Sequence, residues 1–163
     1  MKAFLTNGRV ITFLGLSFVG LTIGFSIWIA RFDLQILDRF GDPDQVRTVL
    51  AAMTDDQKSA HWWMTLLLDY LYPVAYGGFF AGVIWRFFGK FGGWLALLAL
   101  AAGAADAIEN TIQLFILSGA EDLIWLKGII TPIKYSTFLP AAALALIGLC
   151  IAVARRLRKP NVS

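Results

Sequence analysis

Four ionisable residues stand in stretches that are otherwise apolar: Asp69, Asp106, Glu109 and Lys134. Inside a membrane-spanning helix an ionised side chain costs several kcal/mol unless it meets a partner, water or a proton, so each position needs a reason. Asp69, Tyr72, Pro73 and Tyr76 fall at i, i+3, i+4 and i+7 and share one helical face. Asp106, Glu109, Asn110 and Gln113 repeat that spacing as a polar stripe on a Leu/Ala-rich segment. Lys134 has Thr131, Pro132 and Tyr135 beside it. Three carboxylates against one ammonium leave a formal −2, which an apolar interior does not tolerate. Either one or two acids keep a proton, or a cation joins them.

This composition suits acid–base chemistry. Asp69 and Glu109 are the candidates to exchange protons with a substrate, Asp106 adds negative charge, and Lys134 holds a neighbour ionised. Tyr72, Tyr76, Asn110 and Gln113 are the candidate ligand-binding residues. The alternative is an interhelical staple in which Lys134 pairs with Glu109 or Asp69 and the polar groups only set helix register. Oxygen donors from Asp69, Asp106, Glu109 and Asn110 would suit Mg²⁺, Mn²⁺ or Ca²⁺, but the neighbouring lysine argues against a metal, and the reading includes no metal and no cofactor. His61, the single histidine, reads as an interface residue. Cys150 is the single cysteine, so no intrachain disulfide is possible. The nucleophile-elbow, zinc-protease, phosphate-loop, C-x-x-C and dinucleotide-binding patterns are all missing, which argues against the chemistries they serve.

The elements that position these residues follow from composition. In 163 residues, 58% are hydrophobic and 15% charged, and the mean hydropathy is +0.70. That is more apolar surface than a small soluble core can bury, which predicts an all-α integral membrane protein, a four-transmembrane-helix bundle. About 20 apolar residues cross a bilayer core, and four runs qualify: about 10–30, 62–85, 94–118 and 129–154. They leave no room for a separate soluble domain. The basic lead into the first run (Lys2, Arg9) resembles a signal peptide, but the run is too long and no A-x-A site follows, so it is read as retained.

Residues 31–61 are polar and acid-rich, with helix starts at Asp42-Pro43-Asp44-Gln45 and Thr54-Asp55-Asp56-Gln57. Two short helices on the membrane surface are expected there, with Trp62 and Trp63 at the water boundary. Arg86 and Lys90 separate spans two and three, and Arg155, Arg156, Arg158 and Lys159 crowd the end of the chain. The positive-inside rule therefore predicts cytoplasmic termini in a plasma or bacterial inner membrane, with residues 31–61 and Glu121-Asp122 outside. The formal charge of +3 is topological and implies no nucleic-acid partner. Counting 1.5 Å per residue, Asp69, Lys134 and Glu109 all come within about 10 Å of the outer surface and Asp106 lies near the middle. Gly20/Gly24 and Gly78/Gly82 have the spacing of close helix contacts, and Ala-Ala-Gly-Ala-Ala at 101–105 makes span three slim.

Trp62-Trp63 leading into a span with Asp69, Pro73 and Tyr76, a long polar segment after span one and a basic tail resemble the EXPERA layout of sterol isomerases and sigma-2-type receptors. The resemblance implies an acid-lined pocket for a hydrophobic or cationic amphiphile, with Asp69 the most transferable position. Asp106-x-x-Glu109-Asn110 and Lys134 depart from that family's pattern. The A-D-x-x-E-N phrase and D-x-x-x-P-x-x-Y are similar to bacterial four-helix membrane proteins of no assigned function.

The expected function is a membrane-embedded binding protein or acid/base enzyme for a lipidic or amphiphilic molecule that enters from the outer leaflet. The alternatives are a small proton- or cation-coupled transporter, and a structural or assembly subunit with the cluster as glue. Membrane lipids and a second copy of the chain are the expected partners.

Overall fold

The computed structural model describes residues 2–158, so Lys159 of the basic tail lies outside the described residues. The chain is all-helical among the described residues: α1 (Lys2–Leu5), α2 (Gly8–Phe32), α3 (Pro43–Ala52), α4 (Asp55–Met64), α5 (Leu71–Phe87), α6 (Gly92–Leu117) and α7 (Ile124–Leu157). Four stretches are long and apolar enough to cross a membrane: Gly8–Phe32, Asp55–Phe87, Gly89–Leu117 and Glu121–Leu157.

The two helix starts in the polar segment form as their residues dictate. Asp42 caps α3 by accepting from the Asp44 amide at 2.9 Å, with Pro43 in the first turn. Thr54 and Gln57 make a reciprocal capping box at α4. Their continuations differ from the expected pair of surface helices. Only α3 is a separate short helix, and α4 runs on through a π-helical turn, Thr65–Asp69, into α5, so one continuous helical stretch runs from Asp55 to Phe87 and carries Trp62 within it. The reason is packing: Ala60, Met64 and Leu34 are buried together, with Phe25, Trp28, Ile29 and Leu68 around them. The last helix likewise begins before residue 129, with α7 starting at Ile124.

The α3 segment folds down over the ends of α6 and α7 as a cap. Leu37, Val46, Val49 and Leu50 are buried with Ile112, Ile116 and Ile124. Each such aliphatic side chain taken out of water contributes about 1.5–3 kcal/mol, which holds the cap in place.

Helices α5, α6 and α7 form the core of the bundle. Glycines set the close approaches: Gly77 meets the Ala99 carbonyl and Gly103 meets that of Pro73, so α5 and α6 touch backbone to backbone. On the opposite side Gly78 faces Leu14, and Gly82 lies so near the Leu5 carbonyl that an added Cβ would be 2.5 Å from that oxygen. Gly20 and Gly24 behave otherwise. Gly20 meets nothing and Gly24 only Leu68, because that face of α2 points away from the bundle. Helix α2 is peripheral, with no buried residue and an open stripe of Phe13, Leu16, Val19, Ile23 and Ile27. It leans on α5 through Phe18, whose ring packs on Tyr72 and Phe80 at centroid distances of 5.3 and 5.8 Å.

The charges sort by end. The α1/α2 start, Arg86 and Arg155 lie together: Arg86 donates to the Thr6 carbonyl at 3.2 Å, and Arg86 and Arg155 both lie over the Phe87 ring. The acid-rich cap and Glu121 to Leu123 occupy the other end, where Trp62 Nε1 donates to Ser118 Oγ at 3.2 Å.

Candidate functional site

Lys127, Thr131 and Lys134 fall at i, i+4 and i+7 on α7 and face the polar stripe of α6. All three converge on one carboxylate. Glu109 Oε1 accepts from the Lys127 ammonium and, at 2.5 Å, from Thr131 Oγ1, while Oε2 pairs with the Lys134 ammonium. Glu109 and Lys127 are fully enclosed, with no exposed side-chain surface.

Lys134 is shared. Besides Glu109 it donates to Asp38 Oδ2 at 2.8 Å and to Asp106 Oδ1 at 3.3 Å. Asp38 comes from the short turn Leu37–Arg39 beneath the cap, and the Tyr135 hydroxyl anchors that turn by donating to the Asp38 carbonyl at 3.3 Å. Burial alone would raise the Asp38 carboxyl, but the ammoniums of Lys134 and Lys127 outweigh it and hold the group below the usual carboxylate range.

Asp69 is the exception in the cluster. Its carboxyl is buried, with the residue 6% exposed, yet makes no ion pair or hydrogen bond among the described residues. Asp38, Asp69 and Asp106 each present a carboxylate oxygen, all within 4.8 Å of one another. These three line a cavity of about 380 Å³ between α2 and α7, to which Glu109 and Lys127 do not contribute. Thr22, Phe25, Ser26 and Ile29 form the α2 wall, with Tyr72, Tyr76 and Phe138 opposite; Lys134 and Arg39 add positive charge. The Tyr76 hydroxyl in this wall is buried without a hydrogen-bond partner.

Two expected ligand-binding residues are engaged elsewhere. Pro73 has no N–H, so the carbonyl four residues before it, that of Asp69, loses its helical donor. Asn110 Nδ2 supplies one at 2.8 Å. Gln113 Nε2 donates to Thr65 Oγ1 at 3.1 Å, which in turn lies 3.4 Å from His61 Nδ1. His61 Nε2 accepts from the Leu37 amide at 3.4 Å, so the ring's partners select the neutral form with the proton on Nδ1. His61 is completely buried, a correction to its reading as an interface residue, because α4 turns it inward against the Leu37 turn.

The structure thus brings Asp69, Asp106, Lys134, Tyr72 and Tyr76 to one cavity and places Glu109, Asn110 and Gln113 in the bundle behind it. Sequence reasoning missed two members. Lys127 was findable as the first position of the Lys127, Thr131, Lys134 face, had span four been started a turn earlier. Asp38 carries no signal that distinguishes it from the other loop aspartates. With both included, four carboxylates face two ammoniums, and the formal charge is again −2. Glu109 and Lys127 balance each other in the interior, so the excess falls on the cavity. Comparison with family models, curated proteins and solved structures returns no match for this chain.

Proposed function

We propose that the chain is an integral membrane protein with both termini cytoplasmic, and that it binds a lipidic or amphiphilic molecule in the cavity between α2 and α7. The observation that carries this is the cavity itself: apolar and aromatic walls lead to three carboxylates, and α2, its outer wall, is held mainly by α5. An acyl or other apolar tail suits Phe25, Ile29 and Phe138, and a polar head suits the acidic floor. Any proton exchange with the bound molecule falls to Asp69, because Glu109 is occupied by three donors. Glu109, Lys127 and Thr131 are then the staple that fixes α6 against α7, so both sequence readings apply to different halves of one cluster. The basic end near Arg86 and Arg155 is the cytoplasmic one and the cap faces outward.

Photolabelling tests the reading. Diazirine-tailed fatty alcohol and alkylamine probes are added to the protein in lipid nanodiscs, and crosslinked peptides are mapped. Labelling is expected to concentrate on the peptides of Phe25, Tyr72 and Phe138 and to drop in Ser26→Trp, which fills the cavity. Labelling spread evenly over outward residues such as Leu97 and Leu146, unchanged by Ser26→Trp, would overturn it.

A further inference from the structure

Asp38, Asp69 and Asp106 come from three separate elements, the Leu37–Arg39 turn, the π-helical turn and α6, yet their carboxylates meet on one side of the cavity. A hard divalent cation binds oxygen at about 2.0–2.6 Å, so oxygens on opposite sides of one ion stand up to about 5 Å apart. The 4.8 Å limit on the three fits that requirement. Lys134, whose presence argued against a metal, consumes only part of the donor set. It engages Asp38 through Oδ2 and Asp106 through Oδ1. Asp38 Oδ1 is buried without a hydrogen-bond partner, and Asp69, 6% exposed, has neither oxygen paired among the described residues. A buried carboxylate oxygen without a partner, as in Asp38, is costly unless a cation or a proton meets it, and the unpaired Asp69 carboxyl lines the same cavity.

Charge points the same way. Once Glu109 is balanced by Lys127, the three cavity acids stand against Lys134 and Arg39, and negative charge is left over for a cation to meet. The donors are all carboxylate oxygens, and the cavity has room for the waters that Mg²⁺ and Mn²⁺ retain. We infer that Asp38, Asp69 and Asp106 form a binding site for a divalent cation of the Mg²⁺, Mn²⁺ or Ca²⁺ class at the acidic floor of the cavity. The inference rests on the same cavity as the amphiphile reading and deepens it, since the floor that would face the polar head is the part assigned to the cation.

Mn²⁺ alone is the probe, followed by electron paramagnetic resonance on the full chain in nanodiscs. One saturable Mn²⁺ per chain is expected, displaced by Mg²⁺ or Ca²⁺. Asp69→Asn and Asp38→Asn should each weaken binding at least tenfold, while Asp44→Asn on the exposed cap leaves it unchanged. Mn²⁺ should also raise the melting temperature of the wild type and not that of Asp69→Asn, whose apo form is expected to melt no lower than wild type. Should either variant fail to fold, the other and the wild-type stoichiometry still decide. Absence of saturable Mn²⁺ binding, or wild-type affinity in both folded variants, overturns the site and leaves the acids to protons. Mn²⁺ binding without cavity photolabelling would retire the amphiphile reading alone, and photolabelling without Mn²⁺ binding would retire this one alone.

Discussion

Asn110 donates a hydrogen bond to the main-chain carbonyl of Asp69 at 2.8 Å, the carbonyl that Pro73 leaves without a helical donor. The D-x-x-x-P of one helix and the E-N of the next are therefore two halves of a single contact. A proline disrupts α5 near its start, an amide from α6 repairs it, and the disrupted stretch is the π-helical turn that sets Asp69 at the cavity. Helix irregularities of this kind recur at functional sites.

Replacing Asn110 by Leu removes that donor and leaves a buried carbonyl unpaired. A loss of about 1–3 kcal/mol is expected from such a group. Thermal unfolding in detergent would measure it, and wild-type melting would show that the Asp69 carbonyl has another partner.

Asp69→Asn behaves in the opposite sense. Its carboxyl has no partner among the described residues, so neutralising it removes like-charge repulsion from Asp38 and Asp106 and melting should hold or rise. A clear fall in the melting temperature of the metal-free protein would mean that Asp69 is structural.

The interior pair gives a third test. Lys127→Met leaves Glu109 short of a buried counter-charge, and breaking a buried ion pair from one side costs roughly 3–5 kcal/mol. Combining it with Glu109→Gln should recover much of that loss, since the uncompensated charge is gone. A double variant as unstable as the single would argue against Glu109 as a staple.

Packing offers a contrast between glycines. Gly82→Leu must displace the Leu5 carbonyl and Ile11, so α1 and α2 should detach and stability fall, whereas Gly20→Leu enters open space and should leave the single chain's melting unchanged. Equal effects of the two would contradict the placement of α2.

The topology is checked by labelling single cysteines in a Cys150→Ala background. A cysteine at Asp44 should react from outside and one at Arg158 only after the membrane is opened. Reaction of both from one side would exclude four spans.

The sequence by itself determined the helices and their sorting. Runs of about 20 apolar residues, the caps at Asp42 and Thr54, and the separation of Arg86 and Arg155 from the acidic loop are local properties, written in residue type and spacing. The stripe of Asp106, Glu109, Asn110 and Gln113 was legible for the same reason, since a period of 3.6 puts those residues on one face before any partner is known. Which of them meet the cavity was decided only by tertiary structure. Glu109 is withdrawn by three donors on α7, Asp69 is presented by a turn whose freed carbonyl is met by Asn110 forty-one residues away, and Asp38 arrives from a loop held down by burial of Leu37. Contacts between distant segments leave no periodic trace in either one. The same −2 could be counted from the spans alone, but its location against the cavity follows from the pairing of Lys127 with Glu109, which exists only once α6 and α7 are side by side.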